Sequence, residues 1–291
     1  VRLHLIDGTF ELFRAHYSKR PGRTDPSGTD IKATVGVVGS LLSLLSDASE
    51  APSHLAVAFD NPIESFRNRM FPNYKDGSDV DPALRAQFDG AERAVEALGV
   101  AVWSMAEYEA DDALATAALR WREDVEQVRI LTPDKDLGQV VDRQRIVQVD
   151  RMRNREIDEA GVIERSGVPP ASVPDLLALV GDTADGIPGL AGFGAKTAAA
   201  LLGRYGHLEA IPEDPGDWDV PVRGAPRLAA TLSDRRGDAL LYRDLARLVT
   251  DVELPHSLDD LAWDGVPREA FVRWCDELGV TQLRDRPTRW A

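Results

Sequence analysis

The chain has one cysteine, Cys275, in 291 residues. An internal disulfide is therefore excluded, and this side chain reads as buried packing rather than as a nucleophile. Long apolar runs are missing as well, so no segment approaches the length of a membrane-spanning helix. Val1 to Phe10 interrupts its apolar residues with Arg2, His4 and Asp7 and lacks the uncharged core of a signal peptide. Together these absences predict a cytoplasmic protein without a membrane partner. Positive charge is also scarce: 34 Lys and Arg stand against 49 Asp and Glu, for a net charge of −15. A nucleic-acid partner normally leaves a basic footprint, which the sum does not show. Distribution matters more than the sum, because carboxylates gathered around bound cations are neutralised by them. Two local basic clusters exist, Arg14, Lys19, Arg20 and Arg23 in one stretch and Arg67, Arg69 and Lys75 in another. Taken alone, either reads as a solvated face.

The length is enough for one large domain or two closely joined ones with a sizeable core. Leu3 to Ile6, His54 to Phe59 and Val128 to Leu131 are short apolar runs that stop at or near an acidic residue, the pattern of buried parallel strands. Helical spacing over Ile31 to Leu45, Ala83 to Leu98 and Asp111 to Trp121 supplies crossover helices, so the first part of the chain is predicted to be an α/β sheet. From about residue 170 the spacing turns helical, over Val173 to Val180, Lys196 to Leu202 and Arg227 to Val249. Pro212 to Pro226, rich in Pro, Gly and Asp, is predicted to be an exposed loop. No internal repeat is present.

Open parallel sheets place ligands beyond the carboxyl ends of their strands. Asp7, Asp60 and Asp134 occupy that edge, joined by Glu109, Asp111 and Asp112, by Asp136, and by Asp182 with Asp185. Glu109 and Asp112 would share one face of a helix starting there, with Asp111 turned aside. Asp134 and Asp136 would point the same way if the strand stayed extended past Leu131. Any single Asp of this set could be a helix cap or turn residue; the coincidence of all of them argues for more. Carboxylates crowded on one edge repel unless cations offset them. All-oxygen ligands without a convergent His or Cys group favour Mg²⁺ or Mn²⁺ over zinc. Two such ions about 4 Å apart can clamp the attacking and leaving oxygens of an in-line phosphoryl displacement.

The motifs fall in a characteristic order: Leu5-Ile6-Asp7-Gly8, Ala58-Phe59-Asp60, Phe66-Arg67, Tyr74-Lys75, Glu109-Ala110-Asp111-Asp112, Thr132-Pro133-Asp134-Lys135-Asp136, and Gly181-Asp182-Thr183-Ala184-Asp185-Gly186-Ile187-Pro188-Gly189. In them the chain resembles the flap endonuclease and 5′-3′ exonuclease family, which includes the amino-terminal exonuclease domain of bacterial DNA polymerase I. The resemblance covers nearly the whole chain. It implies a PIN-like parallel-sheet nuclease domain over residues 1–172, with a helical arch near 64–90. A helical region over 173–291 would carry a helix-hairpin-helix (H3TH) motif near 175–206. It also implies that Asp7, Asp60, Glu109, Asp111, Asp112, Asp134, Asp136, Asp182 and Asp185 are metal ligands, and that Arg67 and Lys75 on the arch touch the scissile phosphate. Tyr74 could stack on an unpaired base or simply be core. In one departure, Asp76, Gly77, Ser78 and Asp79 follow the Tyr-Lys pair where family members often carry an arginine.

Gly189 to Thr197 could pass for a phosphate loop, but that pattern needs Gly directly before Lys, and Ala195 intervenes. A glycine hairpin between helices instead offers backbone N–H groups to a DNA phosphate, with Gly192, Gly194, Lys196 and Thr197 as the candidate contacts. Arg14 joins them as a candidate DNA contact, and the resemblance implies K⁺ held by hairpin carbonyls. The expected enzyme is a monomeric, stand-alone bacterial nuclease of the nucleoid. It would act on DNA with 5′ flaps, nicks or free 5′ ends, beside replication or repair proteins, and leave a 5′ phosphate. Two rival readings are a catalytically silent DNA-structure-binding protein, whose mark would be lost metal ligands, and a ribonuclease of a related acidic-site fold.

Overall fold

A computed structural model describes the whole chain, Val1–Ala291. Strand β1 (Arg2–Asp7) runs directly into helix α1 (Gly8–His16), and Asp7 caps that helix by accepting from the Phe10 N–H at 2.8 Å. Helix α2 (Lys32–Leu45) and strand β2 (His54–Asp60) follow, then the short helices α3 (Phe66–Met70) and α4 (Pro82–Arg85), and α5 (Phe88–Ala97). Next come β3 (Ala101–Met105), α6 (Ala110–Trp121) and β4 (Gln127–Leu131). A hairpin of β5 (Ile146–Asp150) and β6 (Arg155–Ile157) leads to α7 (Glu159–Ser166), α8 (Val173–Val180) and α9 (Ala195–Tyr205). Helices α10 (Ala225–Asp234), α11 (Arg236–Ala246) and α12 (Arg268–Glu277) complete the chain.

These elements form two compact units that interleave in sequence. The first comprises residues 1–64, 77–132 and 250–291, the second residues 65–76 and 133–249. In the first unit four parallel strands are ordered β3-β2-β1-β4. The strands nearest the middle are fully buried runs such as Leu3 to Ile6 and Leu55 to Phe59, as a two-sided parallel sheet requires. Strand order reverses beside β1, so the loop after Asp7 opens at a topological switch point. Gly8 is needed there, because a Cβ on it would lie 2.6 Å from the Phe59 ring and 2.7 Å from Val57. The predicted helix over 83–98 is interrupted. Gln87 is buried and turns its Oε1 to the N–H groups of Ala33 and Thr34 at 2.9 and 3.1 Å, capping the amino end of α2. Residues 250–291 return to this unit, where Trp263 Nε1 donates to the Leu98 carbonyl at 3.0 Å. Cys275 is buried on α12, and burial pushes its thiol up to about 11.

The second unit is mainly helical, with β5 and β6 antiparallel. Its core includes Val162, Val173, Leu177, Leu201, Leu202, Leu232 and Leu245. Buried Asp175 of α8 ties the turn after α9 in place, accepting from the Leu208 N–H at 3.1 Å and lying 3.0 Å from His207 Nδ1. Strands β3, β5 and β6 were not anticipated from periodicity. No helix in the molecule is long and apolar enough to cross a membrane.

Candidate metal centre

In the first unit the acidic residues sit at strand ends and at one helix start. Asp7 closes β1 and is buried; besides capping α1, it accepts from the Thr132 hydroxyl at 2.9 Å, which links the ends of β1 and β4. Asp60 closes β2, accepts from the Ala110 N–H at 2.7 Å and has its own N–H on Thr9 Oγ1 at 2.8 Å, so the second strand end is joined to the start of α6. Glu109 is the N-cap of α6, in a reciprocal box with Asp112 whose carboxylate accepts from the Glu109 N–H at 3.0 Å. Glu109 and Asp112 are buried, whereas Asp111 is turned partly outward. The three-residue spacing thus gives one inward face at the helix start.

In the second unit, carboxylate oxygens of Asp136, Asp182 and Asp185 all lie within 4.8 Å of one another. Asp136 is only 6% exposed, and its Oδ1 has no hydrogen-bond partner. Burial, followed by the charges of Asp134, Asp185 and Asp182, pushes its carboxyl well above the usual range. Asp182 accepts from the Ala184 N–H at 2.9 Å inside a tight loop closed by paired bonds between Asp182 and Ile187. Two ammonium groups enter this cluster: Lys135 Nζ lies 2.6 Å from Asp182 and Lys75 Nζ lies 2.9 Å from Asp185. Burial works against the Lys135 charge, but its hydrogen bond to Asp182 and the surrounding carboxylates outweigh it and raise its pKa. An orphaned buried carboxylate oxygen, three convergent acidic side chains and an all-oxygen donor set fit a hard divalent cation.

Several expected site residues take other places. β4 ends at Leu131 and a 3₁₀ turn starts at Asp136, so the chain does not stay extended between Asp134 and Asp136. Asp134 is exposed and accepts from the Asp136 N–H at 2.9 Å, while Asp136 points inward. Arg67 is 1% exposed; its Nε and Nη2 donate to the carbonyls of Leu245 and Arg247 at 2.8 and 2.9 Å. Those carbonyls belong to the carboxyl end of α11, where a cation is favoured. Arg67 is therefore a buried helix-end anchor rather than an outward phosphate ligand. Tyr74, 4% exposed, belongs to the core of the second unit and offers no face to a base. Arg14 is held along the first unit's surface by Glu11 and by Ser40 Oγ at 2.9 Å.

The hairpin lies between α8 and α9. Gly189 has a φ of +69°, and a Cβ there would come within 2.5 Å of the Val180 and Gly181 backbone, so the turn can close only on glycine. Gly192 also has positive φ, and Gly194 is the N-cap of α9 with open space around it. Lys196 is exposed and Thr197 half-buried on the first turn of α9. Lys135 was missed as a site residue, although its position between Asp134 and Asp136 was a usable signal.

One unit carries carboxylates at the ends of a parallel sheet, and the other carries an acidic cluster and a glycine hairpin, features that suit metal-assisted phosphodiester chemistry. Comparison with known proteins agrees. Residues 2–167 match the model of the 5′-3′ exonuclease N-terminal resolvase-like domain, and residues 168–269 match the 5′-3′ exonuclease C-terminal SAM fold. The chain belongs to the 5′-3′ exonuclease family. It is 37% identical over 295 residues to DNA polymerase I of Pseudomonas aeruginosa and 34% identical over 289 residues to that of Mycobacterium leprae. These alignments cover 95% and 98% of this chain but 31% of each relative, so the chain spans about a third of the curated relatives' length. Among solved structures, a T5 5′-exonuclease with bound zinc aligns with a TM-score of 0.67 at 18% identity, covering 97% of this chain and 99% of that one. The bacteriophage T5 D15 flap endonuclease, solved with DNA and metal ions, gives 0.65 at 19% identity, with 97% and 100% covered.

Proposed function

We propose that the chain is a structure-specific 5′ nuclease that cuts DNA at 5′ flaps, nicks and free 5′ ends, using Mg²⁺ or Mn²⁺. The observation that carries this reading is the cluster of Asp136, Asp182 and Asp185 around an unpartnered, buried Asp136 oxygen. Its excess of negative charge is of the kind a divalent cation offsets. In this reading Asp134, Asp136, Asp182 and Asp185 hold cations in the second unit, and Asp7, Asp60, Glu109, Asp111 and Asp112 in the first. Bound divalent cations would supply an activated water and stabilise the departing oxygen. Of the expected arch pair, Lys75 is the candidate for meeting phosphate charge; its ion pair with Asp185 keeps the ammonium beside the acidic cluster, which supports that role. Gly192, Gly194, Lys196 and Thr197 would seat a duplex phosphate on the α9 amino end, with K⁺ on hairpin carbonyls. The enzyme would act as a monomer in the bacterial cytoplasm, in replication and repair.

The test is cleavage of a 5′-labelled DNA flap with Mg²⁺ or Mn²⁺, with products mapped and a matched RNA flap run beside it. Asp112→Asn and Asp136→Asn should abolish cutting while leaving the melting curve near that of the wild type. No DNA cleavage at stoichiometric enzyme with either metal would leave the silent binding protein as the better reading. Preference for the RNA flap would favour the ribonuclease.

A further inference from the structure

The segment joining α1 to α2 departs from the acidic character of the chain. Between Arg14 and Gly36 there are four Lys and Arg and two Asp, within a protein of net charge −15. Both carboxylates are occupied locally. Asp25 accepts from the N–H groups of Ser27 and Thr29 and from the Ser27 hydroxyl, and Asp30 accepts from the Lys32 N–H at 2.9 Å. Lys32 is spent on the carboxyl end of α1, its Nζ donating to the carbonyls of His16 and Ser18 at 2.6 and 2.8 Å.

Arg20 and Arg23 are left with no ion pair and no side-chain hydrogen bond. They flank a pocket of about 370 Å³, walled by Pro21 and Gly22 and floored by Val35 and Gly36. The floor is low because α1 and α2 nearly touch: a Cβ on Gly36 would come within 2.5 Å of the Ala15 side chain. Arg20 Nη1 reaches over this floor, 3.8 Å from that position and 3.7 Å from the matching point above Gly39. Two guanidinium groups without partners on one small pocket, one of them reaching over its floor, suit one phosphate with its attached sugar.

We infer that the Arg20–Arg23 pocket binds a backbone phosphate of the DNA duplex, away from the cutting site. The inference rests on the nuclease reading above and deepens it by adding a duplex contact. The occupant follows from charge complementarity and from position. Helix α1 starts directly after Asp7 and its nine residues carry the chain about 13 Å from that strand end. With phosphates about 3.4 Å apart along the axis of one strand, the phosphate held here lies about four nucleotides from that edge.

The experiment measures equilibrium binding of the full chain to a nicked duplex in Ca²⁺, over a range of salt, for the wild type, Arg20→Ala/Arg23→Ala and Arg20→Lys/Arg23→Lys. A methylphosphonate scan then neutralises single phosphates three to six nucleotides from the nick on each strand. The alanine pair should weaken binding about tenfold or more and lower the salt slope by about one, with the lysine pair recovering most of the slope. One methylphosphonate position should weaken the wild type and have little further effect on the alanine pair. Unchanged melting temperatures would show that the variants fold. If the wild type binds and the alanine pair matches it in affinity and slope, the pocket assignment is overturned and the nuclease reading stands. If the wild type binds no duplex at all, both fail.

Discussion

Replacing Arg67 by alanine should cost the protein stability before anything else. The guanidinium is buried on two backbone carbonyls, Leu245 at 2.8 Å and Arg247 at 2.9 Å, and its carbon lies 4.6 Å from the centre of the Phe66 ring. A hydrogen bond from a charged donor contributes about 1.5–3 kcal/mol, and truncation also strands acceptors at the end of α11. Water entering the vacated space recovers part of that loss, which leaves about 3–5 kcal/mol. For a protein of this size the melting temperature should fall by about 5–8 °C. Arg67→Lys can restore one of the two bonds and should fall between. Thermal unfolding followed by circular dichroism measures this, alongside single-turnover cleavage of a flap at a temperature where the variant is folded. A variant that melts within about 2 °C of the wild type yet cuts 10²-fold more slowly would refute the buried-anchor account and restore Arg67 as a phosphate ligand.

Other outcomes follow from the same structure. Lys75→Ala should show the opposite signature, a single-turnover rate lower by about 10²-fold with the melting temperature little changed, because the ammonium faces Asp185 from a part-exposed position; a loss under about threefold would remove Lys75 from catalysis. Lys196→Ala should lower the salt slope of duplex binding in Ca²⁺ by about one, and an unchanged slope would count against a hairpin phosphate contact. Glu50 is held down at about 2 by its hydrogen bond to His4, with Arg129 adding to the effect against a cost of burial. A depressed carboxyl stabilises the fold above its ordinary value of 4.5 and loses that contribution as pH falls toward 2. Glu50→Gln should therefore be less stable than the wild type at pH 7 by about 1–2 kcal/mol, after allowing for solvent contact, with the gap closing through that acid range. Urea unfolding at several pH values would detect a pH-independent gap, which would contradict this linkage.

The sequence alone determined features that depend on neighbours a few residues away. Strands ending at Asp7 and Asp60 were legible because a buried parallel strand is a short apolar run, and the chain becomes polar where the strand leaves the sheet. The inward pairing of Glu109 with Asp112 was equally legible, since three residues are nearly one helical turn. The family motifs made the nuclease reading possible on the same local basis.

What tertiary structure decided were contacts between residues far apart in the chain. Periodicity could not show that Arg67 would be buried on carbonyls some 180 residues later, because an arginine near an expected arch looks the same whether it faces phosphate or a helix end. Lys135 became a site residue only when folding set its ammonium on Asp182. Asp134 and Asp136 parted because the chain left the strand at Leu131 and tightened into a 3₁₀ turn that buries Leu137, which local spacing does not specify. The return of residues 250–291 to the first unit had no local signature either. Helical spacing specifies a buried stripe, and only the assembled core specifies which sheet or helix will cover it.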